Sequence, residues 1–133
     1  MAGSLTVQER YFGRQRAMIC TCVSDASGNV NAKPFEVQGG NLYAIYVLPV
    51  SGVSDLWDLT LTCGIKFDDG TVITFADILS GEGANLSNST DGDRIVLSEP
   101  WAIPPKSILT PVIANLGNAQ TVYVIFDIWE EIG

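Results

Sequence analysis

The chain has 133 residues, a mass of 14.3 kDa and a formal net charge of −8, which comes from 7 Lys and Arg against 15 Asp and Glu. It contains no histidine, and this excludes every Ser–His or Cys–His catalytic arrangement and removes the commonest metal ligand. The acidic balance argues against binding to nucleic acid, which requires a basic footprint. The length fits one domain that can bury a core of its own.

Short apolar or alternating segments follow one another along the chain, separated by residues that favour turns. The segments predicted as strands are 17–23, 30–37, 42–48, 57–63, 71–75, 94–97, 108–114 and 122–128. Many short strands without a long helical period are typical of a β-sandwich or a barrel. The sequence therefore predicts an all-β protein.

Turn-forming residues indicate how some of these strands pair. The loop 25–29 (DASGN) is flanked by 17–23 and 30–37, which are interpreted as a first hairpin. The tripeptide Asp68-Asp69-Gly70 marks the turn of a second hairpin further along the chain.

The N-terminal segment differs from the rest in charge. The first strongly β segment begins near Ala17, so residues 1–16 are predicted to form an extended N-terminal arm and residues 17–133 a single β-sandwich domain. Residues 1–33 carry a net charge of +2, whereas residues 34–133 carry −10. Arginine and aromatic side chains are enriched at protein interfaces. We expect the arm to bind an acidic neighbour, the alternative being a first strand with solvated charges; its candidate binding residues are Arg10, Tyr11, Phe12, Arg14 and Arg16.

Two segments are apolar on both faces, and such strands must be covered on both. The segment 42–48 is predicted to be a central strand with both sides covered. In the C-terminal segment 121–129 (TVYVIFDIW), one face has four apolar residues, while the other has Tyr123, Ile125 and Trp129, broken only by Asp127. Since a two-layer sandwich covers one face of each sheet, the second face is expected to meet an N-terminal segment or another subunit.

Large aromatic residues outside the predicted core suggest an oligomer. Trp101 lies in the proline-rich segment 100–105 (PWAIPP), where an aromatic side chain can anchor a contact. Together with the second face of the C-terminal strand, it gives the candidate self-association residues Trp101, Tyr123 and Trp129. Packing within one chain is the alternative for each of them.

No catalytic, cofactor or metal motif is present. The three cysteines, Cys20, Cys22 and Cys63, fit a reduced chain made in the cytoplasm, and their spacing is not that of a redox or zinc site. Turn chemistry explains the Asp–Gly clusters, although a calcium site is an alternative for 88–93. The N-terminus has no apolar region typical of a signal peptide, and no stretch reaches the ~20 apolar residues needed to cross a membrane. We therefore expect neither an enzyme nor a membrane protein.

Residues 40–133 resemble small structural proteins of tailed bacteriophages. The resemblance lies in the composition and turn placement of 55–62 (DLWDLTLT), 81–87 (GEGANLS), 100–105, 108–119 and 122–128. The pattern is similar to that of capsid decoration, or cement, proteins. The resemblance implies a jelly-roll-like domain on the outer surface of a phage head, often a homotrimer, that ties major capsid subunits together. It implies that the arm binds the major capsid protein and that the chain, made in the host cytoplasm, ends in the virion.

Two other functions are consistent with the same sequence. A tail, neck or fibre component could use a similar sandwich at another place in the particle. A carbohydrate-binding β-sandwich module could use Trp57, Trp101 or Trp129 as a platform on which a sugar ring stacks. Strand order, which would separate a jelly roll from an immunoglobulin-like sandwich, is not visible in the periodicity.

Overall fold

The structure is a computed structural model that describes residues 3–30, 34–37, 39–79, 81–104 and 106–129. These residues form nine strands and no helix. The strands are β1 (Ser4–Phe12), β2 (Gln15–Val23), β3 (Phe35–Val37), β4 (Gly40–Pro49), β5 (Asp58–Lys66), β6 (Val72–Asp77), β7 (Asp93–Ile103), β8 (Ser107–Ala114) and β9 (Thr121–Trp129).

The strands form two antiparallel sheets. One sheet has five strands in the order β1-β2-β9-β4-β7, and the other has four in the order β3-β8-β5-β6. Apart from β1, this is a jelly roll, in which two four-stranded sheets pack face to face and neighbouring strands are distant in the chain. The all-β, jelly-roll-like β-sandwich expected from the sequence is confirmed.

The core lies between the two sheets and is built from alternate residues of their strands. On β2 the residues that point inward are Arg16, Met18, Cys20 and Cys22, and on β9 they include Phe126. The strand alternation seen in the sequence therefore marks the core face correctly.

Of the two predicted hairpins, one is confirmed and one is wrong. Lys66 of β5 pairs with Val72 of β6, and the Phe67 N–H donates to the Thr71 carbonyl at 2.7 Å across the turn. In contrast, β2 and β3 lie in different sheets. The loop between them is long enough to cross from one sheet to the other, so the turn-forming residues there make a crossover rather than a hairpin.

The structure also differs from the expectation for 42–48. The strand β4 lies between β9 and β7, so it is central. Its inner side chains are buried, but Tyr43 and Leu48 are exposed on the other face. The reason is general: a sandwich of antiparallel sheets covers the inner face of each sheet and leaves the outer face open.

The β structure begins at Ser4 and not near Ala17. The segment predicted as an arm contains β1, which pairs with β2 from Ser4↔Val23 to Phe12↔Gln15 and forms an edge of the five-stranded sheet. Leu5 is buried and Val7 is half-buried. The rest of β1 is polar, aromatic or charged, so its hydrophobic periodicity is weak.

Candidate interaction surfaces

The turn that joins β1 and β2 carries exposed positive charge. Arg10 and Arg14 are exposed, and Tyr11 between them is 59% exposed, the highest value among the large hydrophobic side chains that the structure describes. The turn is made by Gly13, whose φ of 61° is in the left-handed region that glycine adopts without strain. We call residues 10–14 the basic hairpin. The side chain of Phe12 lies outside the described part of the structure.

Arg16 does not belong to this surface, although its position in the sequence suggested that it would. It is 1% exposed, and its Nη2 donates to the carbonyl of Gly39. Its neighbour across the sheet is Ile128 of β9. The side chain therefore joins the end of the core to the β3–β4 connection and cannot contact a partner from the surface.

The outer face of the five-stranded sheet is rich in exposed aromatic and aliphatic side chains. We call this surface the aromatic face; its exposed large side chains, each 38% to 55% exposed, are Tyr43, Leu48, Val96, Tyr123 and Trp129. The Tyr43 and Trp129 rings meet edge to face, with centroids 6.4 Å apart and planes at 81°. Tyr123 pairs with Leu48 in the neighbouring strand. Two of the three predicted self-association residues, Tyr123 and Trp129, thus lie exposed on this face, near opposite ends of β9.

Trp101, the third of these residues, lies elsewhere. It pairs with Leu42, which points into the core, and it is half-buried against the core cluster. Its ring therefore covers the end of the core. This agrees with packing within one chain, the alternative to self-association given for Trp101 from the sequence.

Polar groups also lie on or beside the aromatic face. Asp127 is 9% exposed, and its Oδ1 accepts a hydrogen bond from Gln15 Nε2 at 2.7 Å. At the β7 edge, the Arg94 guanidinium lies 5.7 Å from the centre of the Tyr46 ring. Tyr46 and residues 91–94 line a shallow, open groove of about 370 Å³.

A further surface was missed in the sequence. The β5–β6 hairpin exposes Ile65, Phe67, Val72 and Ile73, each 42% to 47% exposed. The pairing of β5 with β8 ends at Ile65↔Ser107, so the hairpin extends beyond the sheet. The signal in the sequence was the pair of apolar residues on each side of the Asp-Asp-Gly turn, for which no surface role was predicted. We call residues 65–73 the apolar hairpin.

The turn of the apolar hairpin is acidic. Asp68 and Asp69 are exposed. Asp69 Oδ1 accepts a hydrogen bond from the Thr71 backbone N–H at 2.9 Å, and this bond lowers the pKa of the Asp69 carboxyl. At neutral pH the turn therefore carries fixed negative charge next to apolar side chains.

The part of the chain that the structure describes also bears on three other roles: metal binding, membrane crossing and sugar binding. No group of three or more His, Cys, Asp or Glu side chains there could hold a metal ion. No helix there is of the length and hydropathy that would cross a bilayer. Trp57 is fully buried, so of the three tryptophans considered as sugar platforms it is excluded, while Trp129 is exposed on the aromatic face.

Comparison with known proteins gives a fold and no family. No protein-family model and no curated protein matches the sequence. A carbohydrate-binding module of the β-sandwich superfamily, whose structure was solved to explain promiscuous specificity, matches with a TM-score of 0.53 and 15% identity over 98% of this chain and 55% of that one. A structure of infectious bursal disease virus, Gx strain, matches with a TM-score of 0.42 and 14% identity over 96% of this chain and 32% of that one. The chain thus spans about half the length of the first and a third of the second. The first likeness agrees with a β-sandwich.

Proposed function

We propose that the chain is a virion structural protein that decorates the outer surface of a bacteriophage head and stabilises contacts between major capsid subunits. The observation that carries this proposal is the aromatic face, a broad and largely apolar sheet surface that the fold leaves open. Extended exposed apolar patches mark interaction surfaces. A decoration protein acts by burying such a surface on neighbouring subunits, which needs no catalytic group.

Within this proposal, we assign the capsid contact to the aromatic face. From the sequence we expected the N-terminal residues to bind the capsid and Tyr123 and Trp129 to join copies of the chain. However, a stable interface buries roughly 800 Å² on each partner. A five-residue hairpin is small for that task, whereas the aromatic face extends over the strands β9, β4 and β7.

Binding to heads tests the proposal. Phage heads are prepared from the phage that encodes this chain, and the protein is stripped from them. These heads are then mixed with purified protein and sedimented. We expect the double substitution Tyr123→Ser and Trp129→Ser to lower the bound amount at least tenfold. Val112→Ser is the matched control, because Val112 is exposed on the outer face of the other sheet, and it should bind like the unsubstituted protein.

The copy number in purified particles distinguishes a decoration protein from a tail, neck or fibre component. By quantitative mass spectrometry, a decoration protein is present in proportion to the major capsid protein, whereas a tail, neck or fibre component is present in far fewer copies. Absence of the chain from purified particles would overturn a virion role altogether.

A carbohydrate-binding module is the second candidate, and one observation favours it. Trp129 is exposed on the same sheet face as Tyr43 and Tyr123, and exposed aromatic rings offer apolar surfaces against which a sugar ring can pack. Titration with oligosaccharides should then quench the fluorescence of Trp129. Trp129→Phe should abolish the change, because Trp57 is buried and Trp101 packs against the core. Unchanged fluorescence across a panel of oligosaccharides would reject this candidate.

A further inference from the structure

The basic hairpin and the apolar hairpin lie at the same end of the sandwich. The pairs Gln15↔Trp129, Trp129↔Asn41 and Asn41↔Ala102 run across the five-stranded sheet at the end where the basic hairpin turns. The strand β7 ends at Ile103, directly after Ala102, so the short connection from β7 to β8 lies at this same end of the sandwich. After this connection, Ser107 pairs with Ile65, where the apolar hairpin begins.

The two hairpins lie on opposite sides of the molecule. The strand β1 is the edge of the five-stranded sheet on the β2–β9 side, and β6 is an edge of the four-stranded sheet. The other edge of that sheet, β3, lies beneath β9, since Phe35 and Phe126 have ring centroids 6.1 Å apart. The apolar hairpin therefore lies beneath the β4–β7 side, away from β1.

The two hairpins are complementary in chemistry. Residues 10–14 carry a charge of +2, and residues 65–73 carry −1, with both acidic residues adjacent in the turn. Tyr11 and Phe67 are among the most exposed large side chains of their hairpins. Tyrosine and arginine are among the residues that contribute most to binding energy at interfaces. The exposed apolar side chains of the second hairpin offer them a surface to bury.

We propose that the basic hairpin of one copy binds the apolar hairpin of a second copy of this chain. Because the two surfaces differ and lie on opposite sides of the molecule, the contact is heterologous. Heterologous contacts form closed rings when the rotation closes. The contact itself does not depend on a virion role.

Charge reversal on each side, measured as mass in solution by light scattering after size exclusion, tests this contact. The unsubstituted chain should be an oligomer, with a mass at least twice the 14.3 kDa of one copy. The variant R10E/R14E and the variant D68K/D69K should each be monomeric, because like charges then face each other. The variant with all four substitutions should recover the mass of the unsubstituted oligomer. R94E is the matched control, since this exposed arginine lies at the opposite end of β7 from the proposed contact, and it should leave the mass unchanged.

The apolar part of the contact is tested by mixing. F67S/I73S keeps an intact basic hairpin, and Y11S/R14E keeps an intact apolar hairpin. Each should be monomeric alone, and the mixture should give a 1:1 heterodimer, because one good contact remains. Circular dichroism of every variant checks that the fold is retained.

Three results would overturn the proposal. They are a monomeric unsubstituted chain at the highest concentration reached, D68K/D69K with an unchanged mass, and a four-substitution variant that stays monomeric. None of these would bear on binding to heads, which is measured separately. Conversely, an oligomer that behaves as expected would stand even if the chain is absent from particles.

Discussion

The indole N–H of Trp57 donates to the carbonyl of Ser87 at 3.0 Å, and the Leu86 N–H donates in turn to the Trp57 carbonyl at 2.7 Å. These bonds join the start of β5 to the long polar loop between β6 and β7. Trp57 is the largest fully buried side chain. Trp57 thus helps to hold this loop against the start of β5, as does the Leu59 N–H, which donates to the Gly83 carbonyl at 2.8 Å.

We expect Trp57→Phe to lower the free energy of unfolding by about 2 kcal/mol, because it removes a hydrogen bond to a half-buried carbonyl and leaves part of the indole volume empty. Urea unfolding followed by circular dichroism measures the change. Trp129→Phe is the control: this side chain is exposed, so its substitution should change stability by less than about 0.5 kcal/mol. Equal effects of the two substitutions would contradict the assignment.

Arg16 and Arg14 provide a comparison between a buried and an exposed arginine two positions apart. We expect Arg16→Ala to destabilise the fold by about 3 kcal/mol, since it empties a buried position and removes the hydrogen bond to the Gly39 carbonyl. Arg14→Ala should leave stability nearly unchanged. Thermal unfolding of both variants checks this, and a destabilised Arg14→Ala with a stable Arg16→Ala would be the contrary result.

The buried thiols make stability sensitive to alkaline pH. Burial raises the pKa of Cys20 and of Cys22 from the ordinary 9.0 to about 12. In the unfolded chain both thiols ionise near their ordinary pKa. Their contribution to stability is therefore fully present below pH 9 and is lost as the pH rises toward 12.

The free energy of unfolding should fall by about 1.4 kcal/mol per thiol on going from neutral pH to a pH one unit above the ordinary thiol pKa. Urea unfolding at the two pH values measures this. The double variant C20A/C22A should be less stable at neutral pH but should lose less stability in alkali. If the free energy of unfolding of C20A/C22A falls as steeply with pH as that of the unsubstituted chain, the effect comes from titratable groups other than these two thiols.

Gly83 tests how closely the long loop packs on β5. A Cβ at this position would lie 2.0 Å from the Leu59 carbonyl oxygen, whereas a Cβ at Gly70 meets nothing within 4 Å. Gly70 has a φ of 92°, so Gly70→Ala introduces backbone strain of about 1 kcal/mol. We expect Gly83→Ala to cost more than this in urea unfolding, because the backbone itself must move. The reverse order would show that the loop does not lie against β5.

The sequence predicts the strands better than their partners. The alternation from Leu59 to Cys63 is a local property and marks the core face correctly, as does that of β9. The pairing of β2 with β9 joins residues that are 98 to 114 positions apart, and nothing local specifies it. This is why the turn-rich loop after β2 was interpreted as a hairpin, although the chain there crosses to the other sheet.

The surface residues show the same limit. Exposure of Tyr123 and Trp129 followed from the rule that a sandwich covers one face of a strand. Arg16 looked like part of a basic cluster in the sequence, but its alternation with Met18 places it on the core side of β2. The Gly39 carbonyl, which accepts a hydrogen bond from the Arg16 Nη2, helps to accommodate the side chain there, and this contact is not visible in the sequence. The apolar hairpin was missed because its exposure depends on where β8 begins, at Ser107.

The central place of β9 has a consequence for synthesis. This strand lies between β2 and β4, and the hydrogen bond from Gln15 to Asp127 spans 112 positions of the chain. The five-stranded sheet therefore cannot close until β9 has been synthesised and has left the ribosome. Until then β2 and β4 have unpaired edges, which are templates for aggregation. A translation product that stops before Thr121 keeps these edges permanently and should be recovered as insoluble protein.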